Sequence, residues 1–434
     1  MSFAILNTWI ALAGPLGLVI PSGGSTSYLY GFFSCVICNF TVVASLGEIA
    51  AIWPKLEANI TVSMFFALRN GEESRYDQSF VAGWINITGW LTLVTTEGFF
   101  AAQFISAASV IASDGRYEPR QWATYLIFLA ILSFAAVSNI WGNKNLGRWN
   151  DAALYWSLLS VIIISIVLLS LSKKTSPEFV FTNFQNETGW SNGVAWILGL
   201  LQSALSLIGF DAVLHMTEKM LNPRKDAPRA MMYAIGVGGA TGTLFILVML
   251  FCLDDPSSAM TTSTGIPIVE LIFQSTGSRV AGCIMGIMLG ICFINGTNAC
   301  TTSVSRLMFA IARDNGIIFH EYFAHIDPRL NVPVRTILFS FVFNALFGLL
   351  HLGPAVALNA FIASCTIFLN VSYALPVLVL LLRGRRILAQ YQSRETPFQL
   401  GFKRGTLINW VTVIYVTFTS VVGLNLVPAT WVFR

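Results

Sequence analysis

The chain has 434 residues, of which 55% are hydrophobic and 11% charged, and its formal net charge is +4. Soluble domains carry about 25% charged residues and build helices with a single apolar stripe, so a solvated α-protein is excluded. The near-neutral balance suggests neither a nucleic-acid partner nor an acidic tail, and no nucleic acid is expected.

Long apolar blocks such as "YWSLLSVIIISIVLLSL" (155–171) recur along the chain. A spanning helix needs about 20 mostly apolar residues, which predicts eleven spans at roughly 2–20, 25–52, 80–111, 122–140, 151–172, 193–220, 229–253, 279–312, 334–352, 355–382 and 407–431. Backbone groups in lipid must be bonded within the segment, so these are helices. The short alternating segments of a β-barrel are not visible. The fold class is therefore all-α, a polytopic transmembrane helical bundle in a single domain over 1–434. Met1 leads almost directly into an apolar run without a basic stretch, so no cleavable leader is expected.

The first span is interrupted within "NTWIALAGPLG" (7–17), and Asn7, Thr8 and Trp9 at its start are candidate solute contacts. The second span holds Cys35 and Cys38. All seven cysteines lie in apolar blocks and read as small hydrophobes rather than disulfides or metal ligands. Glu48, near the end of this span in "SLGEIAAIWP" (45–54), reads as a polar contact of an inner gate. Glu97 lies mid-way along the third span in "GWLTLVTTEGFFAAQF" (89–104), with no basic residue within four positions. A buried acid must be paired, neutral or in a watery cavity, which makes Glu97 a candidate solute contact. Trp9, Phe99, Phe100 and Phe210 can add cation–π contacts, although aromatics within spans more often serve packing.

The sixth span carries the second interruption, "LIGFDA" (207–212). Gly209, Phe210 and Asp211 are candidate solute contacts. Asp211 is either a cavity acid that senses protons or a cap of the second half-helix, and both roles are compatible. His215 and Glu218 follow at four and seven residues, which on an α-helix share a face with Asp211. They form a possible proton relay or a gate at the end of the span, where Lys219, Arg224, Lys225 and Arg229 offer ion pairs. The eighth span carries Gly282, Gly286 and Gly290, a small-residue ridge for close packing. Asn295, Asn298 and Thr302 follow along it and are candidates for lining a polar path.

The basic residues orient the chain. With the N-terminus in the cytoplasm, 18 of the 25 Lys and Arg residues fall in inner loops. They run from Lys55, Arg69 and Arg75 through Lys144, Arg148 and the basic tail after span six to Arg313, Arg329, Arg335 and the cluster between Arg383 and Arg404. Arg116, Arg120, Lys173, Lys174, Arg279 and Arg434 lie outside or at the outer boundary, and Arg306 falls within the eighth span. The sequon "NET" at Asn186 then lies in an outer loop, available for glycosylation or present by chance. Two interruptions that each open a set of five spans point to a five-plus-five inverted repeat with broken helices 1 and 6. The repeats are residues 1–172 and 193–382, followed by an eleventh helix at 407–431.

Three stretches resemble a known family. "IGFDAVLHMTEKMLNPRKDAPRAM" (208–231) resembles the sixth-helix signature of the amino acid–polyamine–organocation transporters, most closely their fungal amino acid, GABA and choline permease branch. "SVSRLMFAIARDNGIIFHEYFAHIDPRLNVPVRT" (303–336) resembles the stretch after their eighth helix, and "SLGEIAAIWP" the end of their second. The resemblance covers nearly the whole chain. It implies secondary transport of a small amine-bearing solute such as an amino acid, GABA or choline, with Asp211 facing the cavity. Coupling to protons is expected mainly from the resemblance. No cofactor or metal is expected, and the lipid bilayer and protons are the other partners. The expected location is the plasma membrane, with the vacuolar or another internal membrane as the alternative.

Departures from the family pattern are specific. "KLEANITVSMFFALRN" (55–70) lacks the usual glycine pair, the hydrophilic tail before the first helix is absent, and eleven spans stand where twelve are expected. They keep open a transport-inactive nutrient sensor or a truncated, non-functional permease. The four histidines are scattered, and no HExxH, P-loop or GxSxG motif occurs, so no enzyme activity is expected.

Overall fold

The computed structural model describes residues 7–53, 72–254, 256, 262, 264–393 and 395–432. The stretch 55–70, with its departure from the glycine pair, lies outside the described residues. The described chain is nearly all helical, and its one isolated β-bridge joins Ser22 to Asn186.

The first span is two short helices, α1 (Thr8–Ala13) and α2 (Leu16–Val19), separated at Gly14 and Pro15. Pro15 has no N–H to continue the hydrogen-bond ladder. Ten longer helices follow that can each cross a membrane by length and composition. They are α3 (Gly24–Ile52), α4 (Glu72–Ala112), α5 (Gln121–Trp141), α6 (Leu146–Leu171), α8 (Asn192–Leu205) with its continuation, α9 (Pro223–Cys252), α11 (Arg279–Arg313), α13 (Val334–Gly348), α14 (Ala355–Arg383) and α15 (Phe402–Val432). Short helices α7 (Pro177–Thr182), α10 (Pro267–Thr276) and α12 (His320–Phe323) lie in the connections. Ten of the eleven predicted spans are thus found among the described residues, and the first is a broken pair of short helices. The short connecting helices lack the long apolar run by which the spans were recognised.

The sixth span is broken as well, but its second half differs from expectation. After α8 ends at Leu205 the chain loses helical form, Gly209 takes φ 89°, and residues Phe210–Lys219 form a 3-10 helix. A 3-10 helix has three residues per turn. His215 and Glu218 are therefore in line, while Asp211 is offset from both by about a third of a turn.

Spans alternate between two faces of the bundle, here termed the N-terminal face and the far face. The turn from α2 into α3 is at the far face. Gly24, at φ 67°, lies so close to the loop before α8 that a Cβ would stand 2.6 Å from the Asn183 carbonyl oxygen. Only glycine fits there.

The core of the bundle is α4 with α11, the most extensive helix pair. Gly286 and Gly290 of α11 lie against Ala108 and Ile105 of α4, so the glycine ridge is a packing surface. Two of the polar residues below it, Asn298 and Thr302, are bonded to α5. Asn139 Nδ2 donates to Asn298 Oδ1 (2.8 Å), Thr302 Oγ1 donates to Asn139 Oδ1 (2.6 Å), and Ser138 also bonds Asn298. These tie α11 to α5. On other sides α4 is bonded through Asn86 to Ser372 of α14 and through Thr95 to Asn344 of α13. The perimeter is apolar and exposed, with Leu126, Tyr155, Ile166, Leu244, Leu346 and Ile414 facing outwards. A soluble protein would not tolerate such a belt, whereas lipid covers it. The chain is a multi-pass integral membrane protein.

Candidate functional site

Two cavities lie along one line through the far half of the bundle. The larger is a cleft of about 380 Å³ that reaches the far-face loop at Gly265 and Pro267. That volume suits a small solute. Its walls come from the break of the first span (Gly14, Pro15), from α4 (Phe100, Gln103), from α8 (Gln202, Leu205) and from α14 and α15. No Lys, Arg, His, Asp or Glu is among the described residues that line it.

Below the cleft is a small chamber of about 10 Å³, room for at most about one water. Ala11 of α1 and Ile208 at the break of the sixth span lie on its wall, so both interrupted spans meet there. Phe100 and Leu205 border both cavities and separate them. Phe100 leans on the break itself, since a Cβ on Gly14 would lie 3.3 Å from its ring. Phe293 of α11 faces it at 5.3 Å between ring centroids.

The chamber's only ionisable side chain among the described residues is Glu97. It is 5% exposed, and its Oε2 has no hydrogen-bond partner among the described residues. Gly296 of α11 makes room for it: a Cβ there would stand 2.3 Å from Oε2. The rest of the chamber is apolar except Thr96, whose hydroxyl donates to the Thr92 carbonyl (2.8 Å). An unpaired carboxyl in such surroundings is costly unless a cation or a proton satisfies it.

Asp211 is placed differently. It is fully buried and lines neither cavity. Tyr373 of α14 donates its hydroxyl to Oδ1 (2.6 Å), and Trp90 of α4 donates its indole N–H to Oδ2 (3.2 Å). His215 Nε2 lies 3.4 Å from the same oxygen. Gly209 N–H donates in turn to Tyr373 (3.2 Å), and Phe210 packs on the Tyr373 ring at 4.7 Å. Asp211 therefore ties the broken span to α4 and α14. Trp90 and Tyr373 were not singled out from the sequence. Their signal was there, because a Trp or Tyr deep in a span must find a partner for its polar atom.

Asn7, Thr8 and Trp9 also lie away from both cavities. Asn7 Nδ2 donates to the Cys292 carbonyl (3.1 Å), and Ser157 of α6 donates to Asn7 Oδ1 (2.7 Å) while accepting from Trp9 Nε1 (2.8 Å). The Trp9 ring meets Phe245 edge-on, and Thr8 packs against Gly238. Phe99 stacks on Phe128 at 4.0 Å. Of the aromatic candidates, Phe100 alone borders the chamber.

Glu48 sits at the N-terminal face in a buried cluster. Arg385 Nη2 is 2.5 Å from Oε2, while Gln392 Nε2 (3.1 Å) and Leu400 N–H (2.9 Å) donate to Oε1. Arg385 follows α14 in the connection to α15. Glu218 stands in the last turn of the 3-10 helix, and its side chain lies outside the described residues. Among the described residues, no group of three or more His, Cys, Asp or Glu is placed to hold a metal ion.

Comparison with known proteins gives one family. Its model, described as amino acid permease, matches residues 2–431. A Macrophomina phaseolina protein named as an amino acid/polyamine transporter is 30% identical over 422 residues, covering 97% of this chain and 92% of that protein. A choline transporter of Saccharomyces cerevisiae is 28% identical over 97% of this chain and 74% of its own length. The GABA-specific permease of the same yeast is 24% identical, over 96% and 73%.

Proposed function

The chain belongs to the amino acid permease family, within the amino acid–polyamine–organocation superfamily, and from that premise we propose that it carries a small amine-bearing solute across a membrane, coupled to protons. One observation carries the reading. Glu97 is a buried carboxyl without a counter-charge among the described residues, set where the two broken spans meet and directly below a solute-sized cleft. An ammonium group satisfies it, and so does a proton. A site that exchanges one for the other couples the two flows. The relatives named for choline, GABA and polyamines have in common solutes with a positively charged nitrogen.

The remaining roles follow from position. The N-terminal face is cytoplasmic, because 18 of the 25 Lys and Arg residues belong to that side. The cleft is then the route from outside, and Phe100 with Leu205 forms the barrier that solute must displace. Residues 1–172 and 193–382 act as two inverted repeats, with Asn7, Thr8 and Trp9 in one broken span and Gly209, Phe210 and Asp211 in the other. Asp211 and His215 respond to protons at the second break. Glu48 and Glu218 serve the inner gate. The plasma membrane is the site of action.

Uptake of radiolabelled amines in a permease-deficient host tests the function. Wild type should accumulate at least one amine above the empty vector, and Glu97→Gln at equal surface expression should not. Equal uptake by Glu97→Gln removes Glu97 from the mechanism.

A further inference from the structure

We propose that the ends of α14 and α15 at the N-terminal face form a binding site for an anionic lipid headgroup of the adjoining leaflet. The site stands apart from the two cavities and depends on no step of transport.

α14 ends at Arg383, α15 starts at Phe402, and the two helices pack against each other. The residues between them fold back under α3 as a strap. Arg385, Gln392 and the Leu400 N–H hold Glu48, and Tyr391 meets Trp53 at 5.4 Å between ring centroids. A Cβ on Gly47 would lie 3.6 Å from the Phe398 ring. At Gly405 a Cβ would run into the Arg385 guanidinium, so the first turn of α15 leaves room for Arg385 to enter. Fastened in this way, the strap brings its two ends together. The Arg386 guanidinium lies over the Phe402 ring, 5.8 Å from its centroid.

Cations stand at both ends. Arg383 and Arg386 mark where the chain enters the strap, and Lys403 and Arg404 where it leaves. All are exposed, and none is in an ion pair among the described residues. Arg385 differs, since Glu48 neutralises it. From Ala355 to Arg434 the sequence holds one acid, Glu395. The rule that favours bases on the cytoplasmic side accounts for the cations but not for the scarcity of acids. Elsewhere on this face acids stand among the bases: Arg313 is paired with Asp314 at 3.2 Å, and Asp226 lies between Lys225 and Arg229.

Charge alone suits any polyanion, and the neighbouring surface selects lipid. Leu382, Leu407 and Trp410 are 78%, 68% and 50% exposed beside the cations, on helices that cross the membrane. They stand where headgroups give way to acyl chains, the level at which Trp settles. Clustered Lys and Arg just inside a span attract anionic headgroups, and adjacent apolar side chains add to the hold. A headgroup held by both ends also braces the strap that carries Arg385 to Glu48.

Lipid binding to the purified full chain in neutral detergent tests the proposal. Phosphatidylserine or phosphatidylcholine is titrated in, and bound lipid is counted by native mass spectrometry. Phosphatidylserine should bind at least about tenfold tighter. Arg383→Gln, Arg386→Gln, Lys403→Gln and Arg404→Gln together should shrink that preference to within about threefold. Arg383→Lys with Arg386→Lys and Arg404→Lys keeps the charge and should preserve it. Arg313→Gln with Arg329→Gln and Arg335→Gln removes charge elsewhere on the same face and should also preserve it. Equal binding of the two lipids by wild type overturns the inference, whether or not the Gln variant folds. A preference that survives in a folded Gln variant, or is lost equally in the Arg313 set, overturns it as well. Inorganic phosphate, which has no acyl chains, should displace little lipid, and full displacement would leave only a free-anion site. Displacement by polyglutamate at matched charge would point to an acidic protein segment instead and overturn the lipid assignment.

Discussion

Arg385 Nη2 lies 2.5 Å from Glu48 Oε2, with the two side chains 3% and 1% exposed. The pair joins the end of α3 to the segment between α14 and α15, and Arg385 Nε also donates to the Gly401 carbonyl (3.2 Å). Its place at the N-terminal face makes it a clasp across two parts of the bundle that are distant in sequence.

Removing one partner of a buried pair strands the other and costs about 3–5 kcal/mol. Glu48→Gln and Arg385→Gln should each lower the melting temperature of the detergent-solubilised protein. The double variant should lose less than the sum of the two. Additive losses, measured by a thermal-shift series, would show that the two side chains do not act as a pair.

Asp211→Asn separates solute binding from proton response. Asp211 lines neither cavity, so the affinity for amine should stay within about threefold of wild type. An amide keeps one acceptor oxygen but meets Trp90 or Tyr373 with an NH₂ group, and it no longer titrates. Without the carboxylate, uptake should lose its dependence on pH. A profile that matches wild type leaves Asp211 with only its structural bonds to α4 and α14.

Gly296→Ala tests whether Glu97 needs its niche. The added Cβ would meet Oε2, so the carboxyl must move or the helices must part, at a cost of about 1–3 kcal/mol. Amine uptake should fall at least about tenfold while the protein remains folded by size-exclusion chromatography. Normal uptake would place the working carboxyl elsewhere.

Phe100→Ala should join the chamber to the cleft. Glu97→Cys in that background should react with a membrane-impermeant thiol reagent added outside about tenfold faster than Glu97→Cys alone, since the barrier to reagent entry is gone. Equal rates would show that Phe100 is not the barrier. The native cysteines are replaced beforehand.

Topology has its own test. Arg224→Cys, in the same cysteine-free background, should label in opened cells and not in intact ones. Labelling in intact cells would reverse the assignment of the N-terminal face.

The spans were legible because length and apolarity are local properties. The two breaks were legible because Gly14, Pro15 and Gly209 interrupt a helix by their own backbone chemistry. The glycine ridge on α11 announced close packing by its spacing. Side-chain destinations were not legible in the same way. Asn7 and Trp9 stand beside a break, yet they are taken up by Ser157 and Cys292, which lie 150 and 285 residues away from Asn7. Glu48 gave no sign of Arg385, 337 residues later. Every span is apolar on most sides, so hydropathy does not say which face meets lipid and which meets a neighbour. Asp211 read as an acid in a membrane, and only the packing reveals Trp90 and Tyr373 around it. Glu97 is the converse: its lack of a basic neighbour in sequence is matched by the absence of a bond to Oε2 among the described residues.

The glycine ridge and the polar knot on α11 lie on different stretches of one rod. Towards the far face, Gly282, Gly286 and Gly290 present a smooth strip to α4, with no side chain to interlock. Lower down, Asn298 and Thr302 are fastened to Asn139. Friction against displacement is therefore uneven along the rod: low above, high below. A tilt of α11 would turn about the fastened end and sweep the free end, and Gly296 with the Glu97 niche lies between the two. The site can thus keep its geometry while the walls above it swing.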